Sequence, residues 1–437
     1  MEWKPDVLPG FEQLTLELTP DDEGPVVATL VRRVAASSGV VVAEAGEPEF
    51  APDTPEYAFT TPGNNAPDNG VDVLYIHGWV DYFHQKHLAY FFESLGYRFY
   101  ALDLRKYGRS LREWQTPGYV DTLSAYDEDI NAALAAMGHG TGTPDGGESR
   151  SFESPISVAA DSANDDGDNV NPKLPEFLRT IIESARSGYA EAVGDVGDVG
   201  DVSDVAGAAT LGIGETFALD YEKPPPPTEF QRIPNTGRWL LLMGHSTGGL
   251  IASLWAAYNP GRADALVLNS PWLEFQTGNL GRRALEGPVR AQARIAPMSH
   301  LVNPDPGYYV KSISNQYDGE WEINPDWKPV VMWPPTAAWM AAIFRAQDRV
   351  ALGLDLDIPV LVLLSAKSTW PVRWTPELLE SDQVITVDDV AARAPSLGHV
   401  VTTVRLPGAL HDVTLSTPEV RANVWAELTR WLAAYIQ

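Results

Sequence analysis

Short apolar runs rich in Val, Leu, Ile and aromatics alternate along the chain with longer segments whose apolar residues recur at helical spacing. The runs FEQLTLEL, VVATLVRR, DVLYIHG, RFYALDL, WLLLMGH, ALVLNSP, PVLVLLS and VTTVRLPG predict eight strands. The first two are partly polar and close together, which predicts an antiparallel edge. The later ones are nearly all apolar, as strands covered on both faces must be. Between them HLAYFFESLG, LIASLWAAYNPG and VRANVWAELTRWLAAY predict helices packed on the sheet. The pattern therefore predicts an α/β class, with a mostly parallel eight-stranded sheet flanked by helices.

Three stretches interrupt the alternation. Residues 34–70, rich in Pro, Gly, Ala and acids, predict a surface excursion. Residues 138–237 carry acidic polar sequence, the repeat GDVGDVGDVSDV, four prolines at 224–227 and one helix-like piece, KLPEFLRTIIESARSGYAEAV. This composition predicts a largely disordered insertion that splits a core made of residues 1–137 and 238–437. Its three-residue period differs from the nine-residue period of calcium-binding Gly-Asp repeats, so a solvated linker is expected. Residues 270–350 carry Trp272, Trp321, Trp327, Trp333 and Trp339. An aromatic insertion at this point predicts a cap above the carboxyl ends of the strands, where open α/β sheets bind ligands.

Charge and composition narrow the partners. Thirty-one Lys and Arg against 59 Asp and Glu give 31 − 59 = −28. Such a field repels nucleic-acid backbones and acidic membrane surfaces, and favours neutral or cationic small molecules. The absence of Cys removes disulfides, thiolate metal sites and thiol nucleophiles. The opening MEWKPDVLPGF has neither the basic start nor the apolar stretch of a signal peptide, and no apolar run reaches membrane-spanning length. A cytoplasmic protein without membrane insertion is expected. No cofactor or metal is expected either, since H-E-x-x-H, a phosphate-binding loop ending in Gly-Lys-Ser/Thr, and Gly-x-Gly-x-x-Gly after the first strand are all missing.

The chemistry is carried by Arg238 to Tyr258, RWLLLMGHSTGGLIASLWAAY. An apolar strand runs into Gly244-His245-Ser246-Thr247-Gly248 and then an apolar helix, the setting in which a Ser on a sharp elbow becomes an exposed nucleophile. Of the eight His, His84 and His87 fall in the helix after the third strand. His139 lies in the insertion, His300 in the cap, and His399 before the last strand. His77 belongs to a Gly turn, and His245 beside Ser246 is expected to point away from the hydroxyl. His411, in PGALHD directly after the last strand, remains as the general base.

A carboxylate orienting that base should lie between Ser and His in the chain. PVLVLLSAKSTWP offers none at the strand end, so Asp382 in SDQVI is favoured, with Asp388, Asp389 and Glu274 as alternatives. His77-Gly78-Trp79 follows the third strand as a turn able to aim a backbone N–H at Ser246, beside the N–H of Thr247. Asp81 and Tyr82 come next and are candidates to line an acyl pocket.

Taken together, IHGW at 76, ALDLRKYGRS at 101, GHSTGG at 244, LNSPW at 268 and GALHD at 408 resemble the α/β-hydrolase superfamily, within it the serine aminopeptidase-like group that includes monoacylglycerol lipases and lysophospholipases. The resemblance spans residues 71–437 apart from the insertion. It implies an α/β-hydrolase fold, a triad of Ser246, His411 and Asp382, oxyanion N–H groups from Trp79 and Thr247, and ester hydrolysis of acyl chains, with a neutral small-molecule ester of medium or long acyl chain as the expected substrate. Two rivals stand beside the ester hydrolase. One is an aminopeptidase holding a substrate ammonium with Asp318, Glu320 and Glu322. The other is a hydrolase-like protein that binds a ligand without turning it over.

Overall fold

Six of the apolar runs pair in parallel, and the central ones are buried on both faces. The computed structural model describes residues 2–34, 67–140, 237–276, 278–302, 305–370 and 372–436. Nearly all of the expected excursion at 34–70 and of the acidic insertion at 138–237, with its repeat and helix-like piece, lies outside the described residues. The strands are β1 (Lys4–Pro5), β2 (Phe11–Asp21), β3 (Gly24–Arg33), β4 (Val71–Ile76), β5 (Arg98–Asp103), β6 (Trp239–His245), β7 (Ala265–Asn269), β8 (Val360–Ser365) and β9 (Val401–Leu406). They form one sheet in the order β1-β2-β3-β5-β4-β6-β7-β8-β9. β1 to β3 and the β3–β5 pair are antiparallel, and every pairing from β5 to β9 is parallel. Among the described residues the sheet thus has nine strands where the sequence predicts eight. The extra one is two residues long, too short to show an alternation.

The period of two along each strand divides the core. Leu74, Ile76, Leu240, Leu242, Leu266, Leu268, Val360 and Val362 face one side. There they meet α2 (Ala125–Met137), α3 (Thr247–Tyr258) and α6 (Ala337–Ala351). Val73, Tyr75, Leu241, Met243, Val267 and Leu361 face the other side, against α1 (Lys86–Ser94) and α8 (Pro418–Tyr435). The remaining helices are α4 (Gly278–Ile295), α5 (Tyr308–Ile313) and α7 (Val387–Arg393), so α4 to α6 all belong to the segment between β7 and β8. Among the described residues, no helix is long and apolar enough to cross a membrane.

Two features of this topology place the site. From β4 the chain moves to β5 on one side and then to β6 on the other, so the carboxyl ends of β4 and β6 meet at the point where strand order reverses. Ile76 lies opposite Gly244 in that register, which brings residues 77–79 beside Ser246. At the opposite end of β4, Asp72 is fully buried and accepts from Arg98, Arg238 (2.8 Å) and His139 (2.8 Å). Burial opposes its ionisation, but these donors outweigh it and hold the carboxyl at about 2. One carboxylate therefore anchors the chain on both sides of residues 141–236.

Candidate active site

Ser246 sits between β6 and α3 with φ 52° and ψ −117°, a backbone conformation that costs a non-glycine residue about 1–3 kcal/mol. Its neighbours explain how the strain is held. A Cβ on Gly244 would lie 2.5 Å from the carbonyl oxygen of Gly248, and one on Gly248 would lie 2.3 Å from that of His77. Both flanking glycines are thus required by backbone that cannot yield. The Ser246 N–H donates to Asn269 (2.9 Å), and its carbonyl accepts from Trp272 (3.0 Å), pinning the elbow to the end of β7. Gly248→Ala is expected to lower stability by about 1–3 kcal/mol through this overpacking, read as a fall in the thermal midpoint.

The turn after β4 closes on the elbow. A Cβ at Gly78 would stand 3.0 Å from Cβ of Ser246. His77 is buried; its Nε2 accepts from the N–H of Leu104 (3.0 Å), so Nδ1 carries the proton and donates to the Gly78 carbonyl (2.7 Å). Burial lowers its pKa and keeps this neutral tautomer. Among the described residues, neither the N–H of Trp79 nor that of Thr247 donates a hydrogen bond. Thr247 opens α3, where N–H groups have no partner in the helix. The Trp79 ring lies 3.9 Å from that of Trp339 and tilted 39° to it, and Trp339 lies 6.2 Å from Trp272, so an aromatic wall flanks the turn.

His411 and Asp382 meet from separate loops after β9 and β8. His411 Nδ1 lies 2.8 Å from Oδ2 of Asp382, both side chains being buried. The other carboxylate oxygen accepts the N–H groups of Val384 (2.7 Å) and Ile385 (2.9 Å), which fixes the carboxylate plane. The Asp382 backbone pairs with the strand-like extension of β8, its N–H donating to the carbonyl of Lys367 (3.0 Å). Nε2 of His411 is buried with no hydrogen-bond partner, the Ser246 hydroxyl included.

The alternatives to Asp382 lie elsewhere. Asp388 is paired with Arg405 (2.5 Å) and exposed, and Glu274 binds Arg393 (2.5 Å). Burial, with Glu274 and Asp388 nearby, raises the carboxyl of Asp389. Asp318, Glu320 and Glu322 all face solvent, with Glu320 paired to Arg421 (2.9 Å). The His245 ring lies 4.9 Å from that of His411, with Nδ1 donating to the Asn269 carbonyl (3.1 Å). Burial lowers its pKa to about 4, so it stays neutral. His84 precedes α1 and only His87 lies within it.

Asp412 was not singled out from the sequence, although it stands beside His411. It accepts from Asn269 (2.6 Å), from Thr414 N–H (3.0 Å) and Oγ1 (2.7 Å), and from Gln85 (3.1 Å). Burial opposes its ionisation, but His245 and these donors outweigh that cost and hold the carboxyl well below the usual carboxylate range. It fixes the base-bearing loop to β7 and to the turn before α1.

Residues 228–370 match the family described as serine aminopeptidase, S33. No curated protein sequence matches the chain. Among solved structures, the monoacylglycerol lipase of Paleococcus ferrophilus is 14% identical, with a TM-score of 0.48 over 85% of this chain and 96% of its own. A soluble variant of the monoglyceride lipase of Saccharomyces cerevisiae is 12% identical, with a TM-score of 0.46 over 86% and 89%. A thermophilic esterase from Thermogutta terrifontis is 13% identical, with a TM-score of 0.45 over 97% and 100%. Likeness this distant says nothing of substrate. The strand order, the elbow and the family match together give this chain an α/β-hydrolase fold, with its segment 228–370 similar to the serine aminopeptidase family S33.

Proposed function

We propose that the protein is a serine hydrolase that cleaves carboxylic esters through an acyl-enzyme on Ser246. The reading is supported by the strained, buried elbow serine and by the His411–Asp382 pair, whose imidazole lies 4.9 Å ring to ring from that of His245, the residue before Ser246. His411 takes the proton of Ser246 as its oxygen attacks the ester carbonyl, and returns it to the leaving alcohol. Water activated by the same imidazole then releases the acid. The N–H groups of Trp79 and Thr247 supply the oxyanion site, each worth about 3 kcal/mol on the usual mutational scale. The Asp382 carboxylate holds His411 in the tautomer whose Nε2 accepts the proton.

The substrate favoured is a neutral ester with a medium or long acyl chain. The aromatic wall of Trp79, Trp339 and Trp272 supports the apolar acyl group, and the net charge of −28 disfavours anionic ligands. Against an aminopeptidase, the three acids proposed to hold an ammonium face solvent. Nitrophenyl esters of graded acyl length and an amino-acyl anilide, run side by side, test the reading. Ester turnover that rises with chain length and exceeds anilide turnover is expected. Absence of ester turnover at every length, or faster anilide cleavage, contradicts it.

A further inference from the structure

The segment between β7 and β8 reaches the turn after β4 and the loops that carry His411 and Asp382. Next to the Trp79 turn, Tyr82 OH accepts from the N–H of Asn324 (2.8 Å), and its ring packs edge-on against Trp327 (5.1 Å). At the loop of His411, Tyr309 OH accepts from the N–H of Asp412 (3.2 Å), and Trp321 Nε1 donates to the Leu415 carbonyl (2.8 Å). Beside Asp382, Gln383 Nε2 donates to the Ser312 hydroxyl (3.1 Å).

In the middle of these contacts lies a buried ion pair. Lys328 Nζ is 2.7 Å from Oδ2 of Asp81, with both side chains 2% exposed. Asp81 Oδ1 accepts the N–H of Tyr82 (2.9 Å) and lies 3.7 Å from Nε2 of His84. The same ammonium lies 5.5 Å from the centre of the Tyr309 ring, which in turn stands edge-on to His411 at 5.5 Å. Between Trp79 and Asp81 stands Val80 with φ 47°, a conformation a β-branched residue adopts only when its surroundings impose it. Asp81, next in the chain, is the anchor that can impose it, and Lys328 is the group that holds Asp81.

We propose that Lys328 is a positioning residue: through Asp81 it holds the Val80 turn so that the Trp79 N–H faces the carbonyl carried by Ser246. The proposal rests on the ester-hydrolase reading. Its physical logic is that a buried ion pair adds little net stability, because desolvation offsets the attraction, whereas it fixes two chain segments in one geometry. Here those segments are the turn that bears an oxyanion N–H and the segment that covers the site.

Turnover of a nitrophenyl ester by Lys328→Met, Lys328→Met/Asp81→Asn and the wild type, per site titrated with a fluorophosphonate so that misfolded molecules do not count, tests this. Lys328→Met leaves a buried carboxylate unpaired and is expected to lower the thermal midpoint. In the double variant that orphan charge is gone and the midpoint recovers, but the tether is still missing. The proposal therefore predicts kcat about 100-fold below wild type in both variants, the loss typical of one oxyanion donor, with KM changed much less. Unchanged kcat in Lys328→Met, or kcat that recovers together with stability in the double variant, overturns it. A wild type that turns over no ester sinks the hydrolase reading itself, and that outcome is distinct from either of these.

Discussion

Ser246→Ala is expected to lower kcat on a responsive ester by about 10⁶-fold, and adding His411→Ala to it should cost almost nothing more, because groups that act as one unit are not additive. The alanine keeps the fold. Ser246 is only 8% exposed, and its backbone contacts to Asn269 and Trp272 do not involve the side chain. The helix that follows keeps its first-turn bonds from Gly249 and Leu250 to the carbonyl of residue 246. A melting midpoint close to wild type should thus accompany the loss. If the single variant retains substantial turnover, the nucleophile is another group. If the double variant is far slower than the single, His411 acts independently of Ser246.

Asp382→Asn should cost about 10⁴-fold in kcat, the loss seen when an orienting carboxylate is amidated in such a triad. The reason lies in the proton inventory. Oδ1 accepts from Val384 and Ile385, so an amide at this position keeps its oxygen there and turns its NH₂ toward His411. Nδ1 then becomes an acceptor, the proton moves to Nε2, and the base can no longer receive one from Ser246. Asp388→Asn, at an exposed residue paired with Arg405, should leave kcat within about twofold, since such surface pairs contribute little. The reverse ranking of these two variants would move the orienting role away from Asp382.

The sheet was legible because the two faces of each central strand are apolar on alternate residues, as in Leu74 and Ile76 against Val73 and Tyr75. The order of strands is set by long-range pairing and leaves no local trace, and β1 is too short to leave any. Gly244 and Gly248 announced the elbow because no other residue fits against the backbone there. Asp382 was favoured by chain order, by the missing carboxylate after β8 and by the acid-x-apolar-apolar pattern of Asp382-Gln383-Val384-Ile385. Its distinction from Asp388 arises from the loop that carries it back alongside β8, a tertiary fact. Asp412 was hidden for the opposite reason. It stands beside His411 in the sequence, yet its role is set by Asn269 and Gln85, which come from distant parts of the chain. The pairing of Asp81 with Lys328 was invisible in the same way: a Lys within an aromatic, acid-containing stretch reads as a surface charge until the fold buries it. His245 was expected to point away from the hydroxyl. Its ring packs beside that of His411, with Nδ1 donating to the Asn269 carbonyl, a neighbourhood that only the fold creates.

The most direct measurement is the mass of the protein after reaction with a fluorophosphonate, followed by mapping of the modified peptide. The account predicts one adduct per chain, on Ser246, formed more slowly when Asp382 is replaced by Asn. An unmodified protein, or an adduct on any other residue, contradicts it.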